Sequence, residues 1–239
     1  MLKVIFMGTS AFAIPVLSEL VKTVEEVMVY TKPDKPSGRG RQLRESPVKK
    51  TALEMNIPIR QPKSLLTKTS GTSHVVDEIC ELNPDVIVVA SYGLLLPKTV
   101  IDHPCYGCLN IHPSLLPRYR GPSPIMTAIL DGQSTTGVSI MRMDEGLDTG
   151  PILAQKEMVI RSEDTTKSLT DALFVQGAAL LVQVLADLVN GQIEPLPQDE
   201  SMATHTRKVV KSDGKADWSL AETQIERQLR AFNRWQILH

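Results

Sequence analysis

Two side chains of this sequence have the types and the spacing needed for group transfer to an amine. Asn110 and His112 lie two positions apart at the end of the apolar run Cys108–His112, which predicts a strand. Side chains two positions apart on a strand share one face, so the amide and the imidazole should converge. Asn110 can donate to an oxyanion while His112 takes or gives a proton, as acyl transfer requires. An isolated Asn-x-His is more often a hydrogen-bonded strand end, and the following loop favours the catalytic interpretation.

A third candidate group lies in the turn Met143–Pro151, which holds three acids and two glycines between two predicted strands. Glycines permit a positive φ, so this turn can bend sharply and direct a carboxylate inward. Asp148 is therefore predicted to reach His112. A carboxylate beside an imidazole favours the protonated form and fixes the orientation of the ring. The alternative is an ordinary hairpin rich in Asp and Gly, which would be the better interpretation of this turn alone.

The elements that must position these groups alternate between strands and helices. The run Lys3–Gly8 is apolar throughout, as a strand buried on both faces should be, and Phe12–Val21 follows with helical spacing. Further strands are predicted at Val27–Tyr30, Asp85–Ala90, Cys108–His112, Gly137–Met141 and Ile152–Ile160, with helices at Val48–Met55, Val75–Leu82 and Ser168–Asn190. This alternation predicts an α/β fold with a doubly wound, mostly parallel sheet. The last two strands have no crossover helix between them, so a mixed sheet with an antiparallel edge is expected.

Composition limits the remaining function classes. The 239 residues suffice for one large domain or one domain with an appendage, and 42% are hydrophobic against 22% charged, which excludes a disordered or coiled-coil chain. The net charge is −1, so affinity for nucleic acid must come from a local patch. Three cysteines, an odd number, favour a reducing compartment, and the cytoplasm is expected. Neither a signal peptide nor a membrane span is expected.

One such patch lies in the long loop Thr31–Ser46 and just beyond it. Between Lys32 and Lys50 there are seven basic residues and two acids. The basic residues are Lys32, Lys35, Arg39, Arg41, Arg44, Lys49 and Lys50. A run of this kind is usually a solvated face, although such side chains on a Gly-Pro-Ser loop can also neutralise phosphates.

Two other motifs indicate chemistry that we do not expect here. Cys105 and Cys108 form a C-x-x-C with two histidines nearby, but redox pairs of this kind typically open a helix and this one precedes a strand. Both thiols are therefore predicted to be structural, and no metal is expected. The turn Gly8–Phe12 lacks the G-x-G-x-x-G phosphate cradle and the Walker lysine, so a dehydrogenase is not expected either.

The motifs together resemble the folate-dependent formyltransferases. The segments that match that superfamily, in order and spacing, are Asn110–His112, Pro113–Gly121 and Met143–Pro151. Within the superfamily the chain is most similar to the methionyl-tRNA formyltransferases, and further segments carry this likeness: Met7–Phe12, Thr31–Gly40, Ser46–Lys49 and Ala90–Pro97. The resemblance covers essentially the whole chain.

The resemblance implies a set of roles. Asn110, His112 and Asp148 match the catalytic trio, which acts on 10-formyltetrahydrofolate without a covalent formyl-enzyme and without a metal. It implies folate contacts for Ser114, Leu115, Leu116 and Pro117 and a pterin pocket lined by Ser91, Tyr92, Gly93 and Leu94. It also implies that the basic loop binds the acceptor stem of initiator methionyl-tRNA through Lys35, Arg39, Arg41 and Arg44.

The chain is expected to divide into a formyltransferase catalytic domain over residues 1–190 and a linker with a terminal helix over residues 191–239. The linker starts with the proline-rich segment Ile193–Glu200, which is predicted to leave the core, and Ser219 is predicted to cap the last helix. Members of the family continue into a small β-barrel domain, which the resemblance leads us to expect to be absent here. A monomer is expected.

Two other functions stay open on the sequence. The same core could formylate a small amine such as an amino sugar nucleotide or glycinamide ribonucleotide, and the basic loop would then be idle. A non-catalytic RNA-binding remnant is the third interpretation, although the intact trio argues against it. The chain also has Ser10, Tyr119 and Arg234 where the family commonly has proline, tryptophan and proline.

Overall fold

The computed structural model describes residues 2–37, 42–66, 74–215 and 217–233. In these ranges the strands are β1 (Lys3–Gly8), β2 (Glu26–Tyr30), β3 (Lys35–Ser37), β4 (Gln42–Arg44), β5 (Ile59–Arg60), β6 (Val86–Ala90), β7 (Cys108–His112), β8 (Thr135–Arg142) and β9 (Ile152–Val159). The helices are α1 (Ile14–Thr23), α2 (Pro47–Glu54), α3 (His74–Leu82), α4 (Lys98–Ile101), α5 (Pro124–Leu130), α6 (Thr166–Val189) and α7 (Glu222–Ala231).

Seven strands form the main sheet, in the order β5-β2-β1-β6-β7-β8-β9. The first five are parallel to their neighbours, whereas β8 runs antiparallel to β7 and β9 antiparallel to β8. The predicted mixed α/β sheet is therefore confirmed, and its antiparallel part is one pair larger than expected. Because the chain turns from β1 to β2 on one side and reaches β6 and β7 on the other, the strand order reverses between β1 and β6. Ligands of such sheets bind beyond the strand ends at this reversal.

The sheet is buried on both faces, as the continuous apolar strands predicted. Along β1 the side chains of Val4 and Phe6 enter one core cluster, while those of Ile5 and Met7 enter a second cluster across the sheet. This is the alternation that a strand imposes on successive side chains. The first cluster is covered by α1 and α6 and the second by α3 and α4. The two layers hold the central strands rigidly, and with them the strand ends where the candidate groups lie.

The long helix α6 begins at a capping box in which Thr165 and Ser168 bond each other's backbone amides. It has 24 residues and is long and apolar enough to cross a membrane by length and composition alone. Its side chains Leu173, Leu181 and Leu185 are nevertheless buried in the first core cluster. Gly177 lets the helix approach the sheet closely, since an added Cβ would lie 2.8 Å from Ile111 and 3.0 Å from Val138. The helix thus has the packing of a core helix.

Three local expectations are corrected. The predicted loop Thr31–Ser46 contains a hairpin of β3 and β4. The last helix begins at Glu222 rather than at Ser219, because the amide and the hydroxyl of Ser219 both bond the Asp217 carboxylate in a preceding turn. The segment Ile193–Glu200 is largely exposed but stays bound to the sheet, since the backbone of Leu196 pairs with that of Ile152 at the start of β9.

Candidate active site

The candidate groups of β7 lie at its carboxyl end, where the sheet passes from parallel to antiparallel pairing. His112 pairs with Ser139 of β8 and Asn110 with Met141, so both are fixed by the ladder on that side. The His112 side chain is buried and that of Asn110 is half-buried. The predicted sharing of one face is therefore present, and the backbone that carries both groups is rigid.

The carboxylate of Asp148 meets both side chains. Its Oδ1 lies 3.5 Å from Asn110 Nδ2, a long hydrogen bond, and its Oδ2 lies 3.6 Å from His112 Nδ1. The backbone N–H of Gly121 donates to Oδ2 at 2.7 Å and thereby fixes the carboxylate. Asp148 itself has a φ of 56°, the left-handed conformation that costs an ordinary residue energy and that turns this side chain inward. The structure thus brings the predicted trio together.

A backbone carbonyl determines which nitrogen of His112 can exchange a proton. His112 Nε2 lies 2.9 Å from the carbonyl oxygen of Tyr119. A carbonyl only accepts, so Nε2 must carry the hydrogen and donate it. In the neutral ring the free lone pair then belongs to Nδ1, the atom that faces Asp148. The geometry assigns proton exchange to Nδ1, with Nε2 held in place by Tyr119.

Tyr119 and Gly121 were missed as site residues because they act through the backbone. Their loop follows β7, and Gly121 has a φ of 101°, a conformation that favours glycine. An added Cβ there would lie 2.8 Å from the backbone oxygen of Thr206. Gly121 was the one signal available in the sequence, because glycine favours a positive φ. In that conformation its backbone N–H lies close to the Asp148 carboxylate.

The predicted pterin loop lies beyond β6, between β7 and the strand reversal. Thr9 of the β1 loop donates to the carbonyl of Tyr92 at 3.0 Å, and the hydroxyls of Ser10 and Ser91 are 2.9 Å apart. These two bonds tie the loops that flank the reversal. Gly93 has a φ of 70°, and an added Cβ would collide with the Lys32 side chain.

The four predicted pterin residues differ in access. Ser91 and Gly93 are exposed and Leu94 is half-buried, whereas the Tyr92 ring is buried in the second core cluster. Burial raises the pKa of the Tyr92 hydroxyl above its ordinary value. Tyr92 therefore supports the loop from inside, and only the other three residues are accessible from outside.

The predicted folate segment after β7 is held firmly by Ser139. The Ser139 hydroxyl donates to the carbonyl of Ser114 at 2.6 Å and accepts from the N–H of Leu116 at 3.1 Å. Ser114 and Leu116 are buried, while Leu115 and Pro117 are half-buried and can face a ligand. Met143, which the sequence reasoning missed, packs against the small cluster of Leu116, Met141 and Ile152 and also against the second core cluster, which contains the Tyr92 ring. It therefore links these two clusters.

The described part of the basic loop concentrates positive charge. Lys35 and Arg44 are exposed and face each other directly across the β3–β4 hairpin. Like charges in that arrangement repel and destabilise the pair. The nearby acids do not relieve this repulsion, because Asp34 and Glu45 bond Lys49 at 2.6 and 3.1 Å. Arg39 and Arg41 lie outside the described residues.

The two thiols of the C-x-x-C lie in different environments. Cys105 is exposed and approaches the carbonyl of Asp85, while Cys108 is buried in β7 and approaches that of Val100. Burial raises the pKa of the Cys108 thiol to about 12, which opposes formation of the thiolate that redox chemistry needs.

Comparison with known proteins places this geometry in a family. The formyl transferase family model matches residues 2–185. The chain is 46% identical over 237 residues to the methionyl-tRNA formyltransferase of Hydrogenovibrio crunogenus, covering 99% of this chain and 74% of that protein. It is 43% identical to the enzyme of the same name from Pseudoalteromonas translucida, of which it covers 72%.

The solved structures agree on the fold. The N-formyltransferase of Helicobacter canadensis, solved with folinic acid and dTDP-3-aminofucose, superposes with a TM-score of 0.73 at 21% identity, over 99% of this chain and 83% of that one. With a family model across most of its length and relatives close to half identical, the chain belongs to the methionyl-tRNA formyltransferase family.

Proposed function

We infer that this chain transfers the formyl group of 10-formyltetrahydrofolate to the α-amino group of initiator methionyl-tRNA. The observation that carries this proposal is the convergence of Asn110, His112 and Asp148 at one strand end in a chain of this family. An amide donor, a proton acceptor and a carboxylate are the groups needed to move an acyl group onto an amine.

When bound, 10-formyltetrahydrofolate supplies an activated formyl carbon that the amine attacks directly. Asn110 has two amide hydrogens and directs only one of them, over a long 3.5 Å, at Asp148. Its amide is therefore available to donate to the formyl oxygen as that oxygen gains negative charge. A donor in place before the charge develops needs no reorganisation and lowers the barrier.

His112 and Asp148 manage the proton that the amine must lose. The amine proton passes to His112 Nδ1, whose new positive charge then lies 3.6 Å from the Asp148 carboxylate. The bond from Nε2 to Tyr119 persists throughout, so the ring does not turn away. The proton at Nδ1 is then available to the departing folate nitrogen as the new carbon–nitrogen bond forms and the old one breaks.

The residues present fit a folate between the loops after β6 and β7. Adjacent parallel strands end at the same edge, so the loops that hold Leu94 and Leu115 are neighbours there, and both side chains are half-buried. Met143 packs against the cluster that contains Leu116 and against the one that contains the Tyr92 ring, and Gly93 keeps its own loop free of a side chain. Apolar walls with a few converging polar groups are usual for cofactor-sized ligands.

The basic hairpin supports a tRNA substrate over a small amine. Lys35 and Arg44 carry mutually repelling charges that phosphates would neutralise. We assign binding of the acceptor stem to this surface, with Arg39 and Arg41 contributing. We also propose that the protein is located in the cytoplasm and is a monomer. The division into residues 1–190 and 191–239 is retained only as a prediction.

The test is a formyl-transfer assay with charged initiator tRNA beside an amino sugar nucleotide and glycinamide ribonucleotide. The proposal expects formylation of the charged tRNA, dependent on 10-formyltetrahydrofolate, and little turnover of the two small amines. Preference for a small amine would replace the substrate and keep the chemistry. Binding of tRNA without turnover would indicate an RNA-binding protein and reject the assigned reaction.

A further inference from the structure

The segment after α6 returns across the candidate site, although it lies beyond the residues that the family model matches. Leu196 and Ile152 exchange two backbone hydrogen bonds of 2.8 Å just after the Asp148 turn. Farther along, Arg120 donates its N–H to the carbonyl of Thr204 and accepts from the N–H of Thr206, at 2.8 and 2.7 Å. The segment 196–206 is thus fastened to both loops that hold the trio.

Gln198 lies near the start of this segment, and both the nitrogen and the oxygen of its side-chain amide bond residues around the site. Its Nε2 donates to the carbonyl of Asp148 at 2.9 Å and to that of Gly150 at 2.7 Å. Its Oε1 accepts from the guanidinium Nε of Arg120 at 3.0 Å. One side chain therefore joins the Asp148 turn to the loop whose backbone holds His112 and the Asp148 carboxylate.

Arg120 determines which way the Gln198 amide points. Its side chain is 1% exposed, and its two terminal nitrogens bond the carboxylate of Glu200 at 2.9 and 2.7 Å. A buried guanidinium only donates, so its Nε must meet the oxygen of Gln198. The Gln198 nitrogen is then left facing the two carbonyls, which need donors.

The turn needs this support because Asp148 adopts a left-handed backbone conformation. A non-glycine residue holds such a conformation only where the surroundings over-determine it. Gln198 bonds the backbone carbonyl of that residue and that of Gly150 two positions on, while Gly121 bonds its carboxylate.

We propose that Gln198 is a positioning residue that holds the Asp148 carboxylate in register with His112 and Asn110. The proposal rests on the proposed function for its kinetic readout. It makes the segment 196–206 a working part of the site, contributed from outside the region that carries the family's motifs.

The decisive variants are Gln198→Ala and the isosteric Gln198→Glu. Alanine removes the two donated bonds and the one accepted from Arg120, whereas glutamate keeps the shape and the bond to Arg120 but turns two attractive contacts into repulsive ones. Both should lower kcat, by roughly tenfold to a hundredfold as small misplacements at a site do, with KM for folate changed less than about twofold. Glutamate should be at least as damaging as alanine.

Gln176→Ala is the matched control, since Gln176 also donates its side-chain amide to a backbone carbonyl, that of Glu157, on a part of β9 distant from the trio. It should leave kcat unchanged. In an Asp148→Asn background the effect of Gln198→Ala should largely disappear, because a residue acting through Asp148 has nothing left to position. Fully additive effects of Gln198→Ala and Asp148→Asn on kcat would overturn the proposal. So would a Gln198→Ala variant with a lower melting temperature but an unchanged kcat.

A readout without turnover separates this proposal from the assigned reaction. Hydrogen exchange over residues 143–151 should quicken in Gln198→Ala and Gln198→Glu but not in Gln176→Ala, because losing the bonds raises local opening. An inactive wild-type protein with this exchange pattern would reject the reaction and keep the positioning role. Unchanged exchange in an active protein would reject the positioning role alone.

Discussion

Removing the facing cations of the β3–β4 hairpin should reduce the salt dependence of tRNA binding by a calculable amount. The perturbation is Lys35→Met together with Arg44→Met. Both cations are exposed and, among the described residues, neither has an acid within ion-pair distance, so each is free to displace one counterion from a phosphate. Each phosphate contact contributes about 0.9 to the slope of log affinity against log salt for a duplex. The double variant should therefore lower the slope by about 1.8.

The assay is filter binding of initiator tRNA over a series of potassium chloride concentrations. Between about 50 and about 200 mM salt, a slope lower by about 1.8 means that the affinity of the double variant falls roughly twelvefold less than that of the wild type. Lys49→Met is the control within the same loop, because Lys49 is paired with Asp34 and Glu45 and has little charge to offer. An unchanged slope in the double variant, or an equal loss in the control, would refute the assignment of this hairpin to the tRNA.

Three further outcomes are expected. His112→Ala should lower kcat by about a hundredfold to ten-thousandfold and Asn110→Ala by about a hundredfold to a thousandfold, with folded protein verified by circular dichroism, since both act as charge develops and protons move. Iodoacetamide at pH 8 should alkylate Cys105 in the native protein but Cys108 only after unfolding, because burial raises the pKa of Cys108 to about 12; mass spectrometry of digests locates the label. The hydrogen bonds from Arg120 hold the pKa of Glu200 below its usual range, so the pair stabilises the protein fully above about pH 4.3 and loses this contribution as the pH falls through the lowered pKa. The difference in melting temperature between the wild type and Glu200→Gln should accordingly be constant from neutral pH down to about pH 4.3. It should disappear as the pH falls further, through the lowered pKa of Glu200.

The sequence predicted those parts of the fold and site in which a local pattern and the tertiary environment agree. The strand Cys108–His112 is apolar, is buried in the sheet and ends in two polar residues on one face, so period-two reasoning sufficed. The capping-box pattern failed at Ser219, where a competing bond to Asp217 takes the hydroxyl that a cap would need. Turn residues make several such bonds possible, and only the three-dimensional neighbours decide between them.

The contacts made by the backbone and by distant segments could not be predicted from residue types. Tyr119 holds His112 through a carbonyl and Gly121 holds Asp148 through an N–H, groups that nearly every residue possesses. Gln198 lies 50 positions from Asp148 in a segment whose prolines and acids predicted departure from the core. Its contact depends on the pairing of Leu196 with Ile152. That pairing involves one residue on each side, so the sequence shows no strand pattern that would predict it.

The distribution of supporting bonds explains why the trio needs more than its three members. The three members belong to two elements: Asn110 and His112 to β7, and Asp148 to a turn whose backbone is held in an unfavourable conformation. A rigid strand can position two groups by itself, whereas a turn between two strands cannot hold a third to within the tolerance that catalysis demands. The precision of the third must come from outside the turn, through Gly121 on one side and Gln198 on the other. Loss of Gln198 should therefore reduce kcat, although by less than loss of Asn110 or His112, which meet the substrate.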